Sequence, residues 1–163
     1  MISAELQKAI DSLQIQDVYL RDLVARCEGE FDPKYNADFG SLVIQFKHHV
    51  KQSMVVELDS QEKLLRVYVE LCARWVDENI QDEANSVKVF IEAEFIAEYL
   101  MKDILDKISI DEFSLKNASY HIWPYWRELL SSQCDRMHLP RATLPMVQFA
   151  NNRHSNPAQD KAL

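Results

Sequence analysis

The stretch Tyr120-His121-Ile122-Trp123-Pro124-Tyr125-Trp126-Arg127-Glu128-Leu129-Leu130-Ser131-Ser132-Gln133-Cys134-Asp135-Arg136-Met137 carries the clearest helical pattern in the second half of the chain. Pro124 suits a first helical turn, where its missing N–H costs nothing and its fixed φ fits a helix start. The residue before a proline is pushed away from the helical region, so Trp123 is expected to be extended and the helix to begin after it. Trp126, Leu129, Leu130, Cys134 and Met137 recur at spacings of three and four and draw one apolar stripe. Arg127, Glu128, Ser131, Asp135 and Arg136 fall mainly opposite, and Pro140 stops the run. A helix with this stripe, and with aromatics crowded at its mouth, needs a surface to rest on.

The earlier sequence supplies a sheet. Lys63 to Val76 alternates most cleanly, with Leu65, Val67, Val69, Leu71, Ala73 and Trp75 on one face and Arg66, Tyr68, Glu70 and Arg74 on the other. Val87 to about Tyr99 repeats the pattern: Val89, Ile91, Ala93, Phe95 and Ala97 oppose Lys88, Phe90, Glu92 and Glu94. Ser41 to Val55 places Leu42, Ile44, Phe46 and Val50 on one face and Gln45, Lys47, His49 and Lys51 on the other. Residues 13–23 read as a first strand whose phase slips at Asp17, where a bulge fits. A short amphipathic helix over residues 3–11 precedes it. Residues 28–40 and 77–86 read as loops, and residues 102–121 as a crossover with short helical pieces. The expected class is α+β: a four-stranded antiparallel sheet with helices packed on one face. Residues 1–150 are expected to form one domain, with 141–150 extended, and residues 151–163 a polar, disordered tail.

Bulk composition narrows the functions. The chain has 163 residues and a net charge of −8, which argues against a phosphate backbone as partner. Two glycines leave almost no material for phosphate-cradling loops. No run of eighteen apolar residues occurs, so no membrane insertion is expected, and the first ten residues lack a secretory signal pattern. Three widely spaced cysteines, Cys27, Cys72 and Cys134, read as reduced thiols of a cytoplasmic protein. No metal or other cofactor is expected, because His48, His49, His121, His138 and His154 lack partners at ligand spacing. Neighbours His48 and His49 point to opposite faces of a strand. No nucleophile stands beside a recognisable base, so an enzyme is not expected.

The apolar surplus is more informative. Tyr68, Phe90, Ile96 and Leu64 fall on the otherwise polar sheet face, and Ile122, Trp123, Tyr125 and Trp126 crowd the helix mouth. These residues either pack under loops and subunit contacts or line a groove for apolar segments of another chain.

Taken together, the stretches resemble the SecB family of export chaperones. Residues 13–23 look like that family's first strand, and 63–76 with 87–101 its central hairpin. Ile122-Trp123-Pro124-Tyr125-Trp126-Arg127-Glu128 is similar to its Leu-Phe-Pro-Tyr-Ala-Arg-Glu helix entrance. Leu144-Pro145-Met146-Val147-Gln148-Phe149 resembles its extended Leu-Ala-Pro-Val-Asn-Phe segment. The resemblance implies an ATP-independent holdase with hydrophobic grooves for unfolded preproteins, assembled as a dimer of dimers (a homotetramer) through its helices. Client binding is then expected at Ile122, Trp123, Tyr125 and Trp126. Docking of the SecA motor, in protein export and translocation, is implied at Asp22, Phe90 and Glu92. The family's second strand-one acid falls near Arg26, a charge reversal. Ala97 and Glu98 replace its glycines after strand four, and the polar tail replaces its C-terminal helix. The reversal favours a SecB-like chaperone dedicated to one partner, such as an antitoxin. A non-chaperone adaptor subunit with wholly internal aromatics is the competing class.

Overall fold

The structure, a computed structural model, describes residues 2–36 and 38–144. The expected extension over 145–150 and the polar tail lie outside the described residues.

Ser3 caps the first helix, α1 (Ala4–Ser12), by accepting from the Leu6 N–H at 3.2 Å, and Leu6 and Ala9 face the core. The chain passes directly into β1 (Leu13–Cys27), then β2 (Leu42–Glu57), β3 (Lys63–Asp77), a short α2 (Glu83–Ser86) and β4 (Val87–Met101). The four strands form one antiparallel sheet in the order β1-β4-β3-β2. Both edge strands outrun their sequence expectation: β1 continues through Cys27, β2 through Glu57.

Three ladders align the apolar faces. Leu65, Val67, Val69, Leu71, Ala73 and Trp75 of β3 share the helix side with Val89, Ile91, Ala93, Phe95, Ala97 and Tyr99 of β4, and all are 0–3% exposed. A register shift between Ile15 and Asp17 stands where the phase slip predicts it, and a second lies between Leu20 and Asp22. The two bulges restore phase, so Leu13, Ile15, Val18, Leu20, Leu23 and Ala25 all stand opposite helix-side residues of β4. A shift between Val50 and Gln52 does the same for β2.

After β4 the chain turns into α3 (Lys107–Phe113). Asp106 caps it through the Ser109 N–H at 2.9 Å; that bond and Lys8 hold the Asp106 carboxyl down to about 2. One π turn (Ser114–Ala118) joins α3 to α4 (Ser119–Arg136) without a break. The expected helix start after Trp123 is therefore wrong: Trp123 is helical and Pro124 lies inside α4. Of residues 102–121, read as a crossover with short helical pieces, 107–121 are continuously helical. Ala118, Ile122, Trp126, Leu130 and Cys134, one per turn, are 0–1% exposed. An interior proline costs about 3 kcal/mol. Burying each large member of this stripe returns about 1.5–3 kcal/mol, so packing overrides the local preference.

Candidate binding surfaces

The four residues expected to act together at the helix mouth are separated by the helix itself. Ile122 and Trp126 are 0% and 1% exposed and sit in the core. At roughly 100° of rotation per residue, Trp123 and Tyr125 project to opposite flanks, about 80° either side of that buried stripe. Trp123 is half-buried and packs on the core, while Tyr125 is 49% exposed.

Each flank is tied to the sheet by a histidine. Ser119, one turn before Trp123 on the same flank, meets His48 of β2, with 2.5 Å between Ser119 Oγ and His48 Nε2. His121, one turn before Tyr125, meets β4, with 2.9 Å between Tyr99 Oη and His121 Nδ1. Burial drives the ionisation of Tyr99 far above the usual phenol range, so its hydroxyl stays protonated beside His121 Nδ1. The Tyr99 ring also meets Phe113 edge-on at 4.9 Å. Burial lowers the pKa of both histidines, helped at His48 by the charge of His49.

Beyond these links, both edge strands turn incompletely covered apolar side chains to the helix side. On β1, Ile15 and Leu20 are 44% and 42% exposed; on β2, Phe46 and Val55 are 44% and 45% exposed. Apolar surface therefore remains on the helix side of both edge strands, β2 being the edge that Ser119 meets. The outward side of the helical layer carries Ile108, Leu115 and Tyr120, all more than half exposed.

The outer sheet face is less wet than its sequence implies. Tyr68 and Ile96 are 8% and 3% exposed, so neither forms part of a free apolar patch. Arg21 and Lys51, each the extra residue of an edge-strand bulge, reach over this face from the two edges and converge on Glu94, at 3.1 and 2.8 Å. Lys47 and Lys51 hold Glu70 ionised below the usual carboxylate range, the Lys47 bond contributing most. Arg66 reaches Glu98 at 3.6 Å and hydrogen-bonds Tyr19.

Phe90 and Glu92 do come together, in a depression of about 300 Å³ shared with Cys72 and Arg74. Glu92 makes no salt bridge among the described residues. Arg26 lies over the Phe90 ring at 4.7 Å and pairs with Glu28 at 2.8 Å. Asp22 shares that face but stands opposite Glu94, away from the depression, and its carboxylate accepts from the Leu23 N–H at 2.9 Å. Burial pushes the Cys72 thiol up, which keeps it a poor nucleophile.

Sequence reasoning missed the histidine links, because each joins residues more than twenty positions apart. It also missed a cleft of about 580 Å³ at the sheet end between Glu28, Glu30 and Phe31 on one side and Ile80, Asn85 and Lys88 on the other. Gly29 shapes its rim at φ +57°, a conformation that only glycine adopts without strain. Among the described residues no cluster of three or more His, Cys, Asp or Glu side chains is arranged to hold a metal, and no helix is long and apolar enough to cross a membrane.

No protein-family model matches the sequence, and no curated protein matches it. By structure, the chain is similar to a SecB-like chaperone of Mycobacterium tuberculosis solved in complex with a ChAD peptide from the HigA1 antitoxin. The TM-score is 0.68 and the identity 16%, over 90% of this chain and 98% of that one. A protein of unknown function from Streptococcus agalactiae matches at a TM-score of 0.38 and 8% identity, over 83% of this chain and 99% of that one. The first likeness is one of fold alone: this chain has a SecB-like architecture, an α+β fold with one four-stranded antiparallel sheet.

Proposed function

We propose that the protein is an ATP-independent holdase that keeps an extended segment of another chain from aggregating. One observation carries the reading: on a SecB-like fold, both edge strands leave apolar side chains 42–45% exposed on the helix side of the sheet. Burying a client's apolar side chains there is non-directional, at about 25 cal/mol per Å² less the cost of ordering the client, so many sequences can be held weakly. Within the expected site, Trp123 and Tyr125 keep surface for contact, and Ile122 and Trp126 support them from the core.

The client is a dedicated one, such as an antitoxin segment, in preference to export preproteins. Arg26 covers Phe90 where the SecB pattern has an acid, so Asp22, Phe90 and Glu92 make a poor surface for SecA. The structural neighbour is itself bound to an antitoxin peptide. The protein is proposed to work in the cytoplasm as a dimer of dimers, closed over the exposed Ile108, Leu115 and Tyr120 of the helical layer.

Light scattering of three unrelated unfolded proteins and of a candidate antitoxin, each with and without the chaperone, tests the reading. Protection of the antitoxin alone supports a dedicated chaperone, and protection of all supports a generalist. Protection of none, with the protein monomeric in solution, leaves the adaptor reading.

A further inference from the structure

The cleft of about 580 Å³ lies at the end of the sheet where β1 leaves through Glu28 and β4 enters through Val87 and Lys88. The Glu28 N–H donates to the Lys88 carbonyl at 2.8 Å and closes that end of the sheet. The volume falls among the roughly 300–1,000 Å³ typical of ligand sites. Part of the lining is apolar: Phe31, Ile80 and Val87 are all half-buried, and the Phe31 ring meets Phe39 edge-on at 6.2 Å. The rest is acidic. Residues 28–40 and 77–86, which supply most of the lining, hold eight Asp and Glu side chains against one lysine, Lys34, and so carry −7 of the chain's net −8. The neighbouring cations are already engaged. Arg26 pairs with Glu28 at 2.8 Å, Arg74 pairs with Glu83 at 3.5 Å, and Lys88 donates to the Asn85 carbonyl at 3.1 Å. Glu30, which lines the cleft, makes no ion pair among the described residues, and neither do Asp32 and Glu78 on the two segments.

We propose that this cleft docks a basic segment of a partner polypeptide, seating one apolar side chain between Phe31 and Ile80 while flanking lysines or arginines meet the acidic segments. The charge sets the sign of the partner, and its concentration at one end of the sheet draws a cation there from a distance. Nucleic acids and anionic membrane surfaces are repelled. The apolar lining selects a polypeptide over a small polyamine, which has no apolar side chain to bury. Burying that side chain gives a contact that salt does not screen, and the charged flanks give steering that salt does screen. The cleft stands at the sheet end, apart from the exposed helix-side residues of β1 and β2, so the inference goes beyond the holdase reading and its failure leaves that reading intact.

The test is fluorescence anisotropy of a labelled short peptide, a leucine flanked on both sides by lysines and arginines, titrated with the full chain at low and at physiological salt. The wild type binds it saturably, and more weakly as salt rises. The same peptide with serine in place of leucine binds about tenfold more weakly, as the loss of one buried apolar side chain predicts. A version with glutamates in place of its basic residues does not bind. Glu30 is exposed, so Glu30→Lys unfolds at the wild-type midpoint and weakens binding roughly five- to tenfold at low salt. Glu57→Lys makes the same change in net charge at the far end of β2 and leaves the affinity within about twofold. Gly29 and Gly40 are the chain's two glycines, so the Gly29 amide at the cleft is read directly in the ¹H–¹⁵N spectrum of the wild type, and it shifts as the peptide is added. Saturable binding with an unmoved Gly29 amide overturns the docking site. So does equal binding of the leucine peptide and either altered peptide, equal weakening by Glu30→Lys and Glu57→Lys, or no binding by the wild type.

Discussion

Within a single stretch of α4, Ile122 and Trp126 are sealed in the core, while Trp123 and Tyr125 reach the two flanks. The four are contiguous or nearly so in sequence and form one aromatic cluster on paper. The helical rotation divides them into a pair that holds the fold and a pair that can meet another chain. The difference teaches that an aromatic-rich helix entrance is not one site: its spacing decides which side chains are structural.

Substitution sharpens the contrast, and the largest effect belongs to the core pair. Trp126→Ala should lose about 3–5 kcal/mol of stability by leaving a large cavity, measured by urea unfolding. Tyr125→Ala should change stability by less than about 1 kcal/mol and reduce client capture. Equal losses of stability from the two variants would erase the distinction.

The outer face gives an intermediate case. Glu94 has a 9% exposed side chain, whereas Arg21 and Lys51 are 55% and 40% exposed, so solvent screens much of their attraction. Glu94→Ala should cost about 1–2 kcal/mol, less at high salt, because it strands two cations that curl over the sheet. Arg21→Ala should cost less than half of that, since Lys51 still pairs with Glu94.

Smaller still is the titration of the two flank links. His48 and His121 have folded pKa values below the ordinary 6.5, so the folded state resists the proton that the unfolded chain accepts. Their contribution to stability is complete above about pH 6.5 and is lost as pH falls towards their folded pKa values. A urea midpoint followed from pH 7.5 to 5 should fall, and the slope should flatten in His121→Phe. Carboxylates held down by hydrogen bonds, such as Asp106 and Glu70, act only at lower pH and leave that window unchanged. Asp22→Ala, on the exposed edge, should move stability by no more than about 0.5 kcal/mol.

Much of the fold was legible because β3 and β4 alternate almost to their ends and their helix-side faces pack as the alternation predicts. The bulge at Asp17 was visible as a break in phase. The second bulge, at Arg21, was not, because a strand ending at Leu23 leaves no residues beyond it to fix the phase. The helix start was misjudged at Pro124: local preference is the only signal in the sequence, and it was overruled by burial of Ala118 and Ile122 on a sheet formed tens of residues earlier. The candidate site was half legible. Its aromatic residues were identified, but their division between core and flank required the helix to begin upstream. The links from His48 to Ser119 and from Tyr99 to His121 depend on tertiary placement that no short pattern carries.

The most direct test of the account is light scattering of an aggregating candidate antitoxin, without ATP, in the presence of wild-type protein and of a Phe46→Asp, Tyr125→Asp double variant. Both changes fall on exposed positions, so the variant should keep the wild-type circular dichroism and unfolding midpoint. The account predicts that the wild type suppresses aggregation at near-stoichiometric ratios and that the folded variant does not. Equal suppression by the two proteins, or none by the wild type, would contradict it.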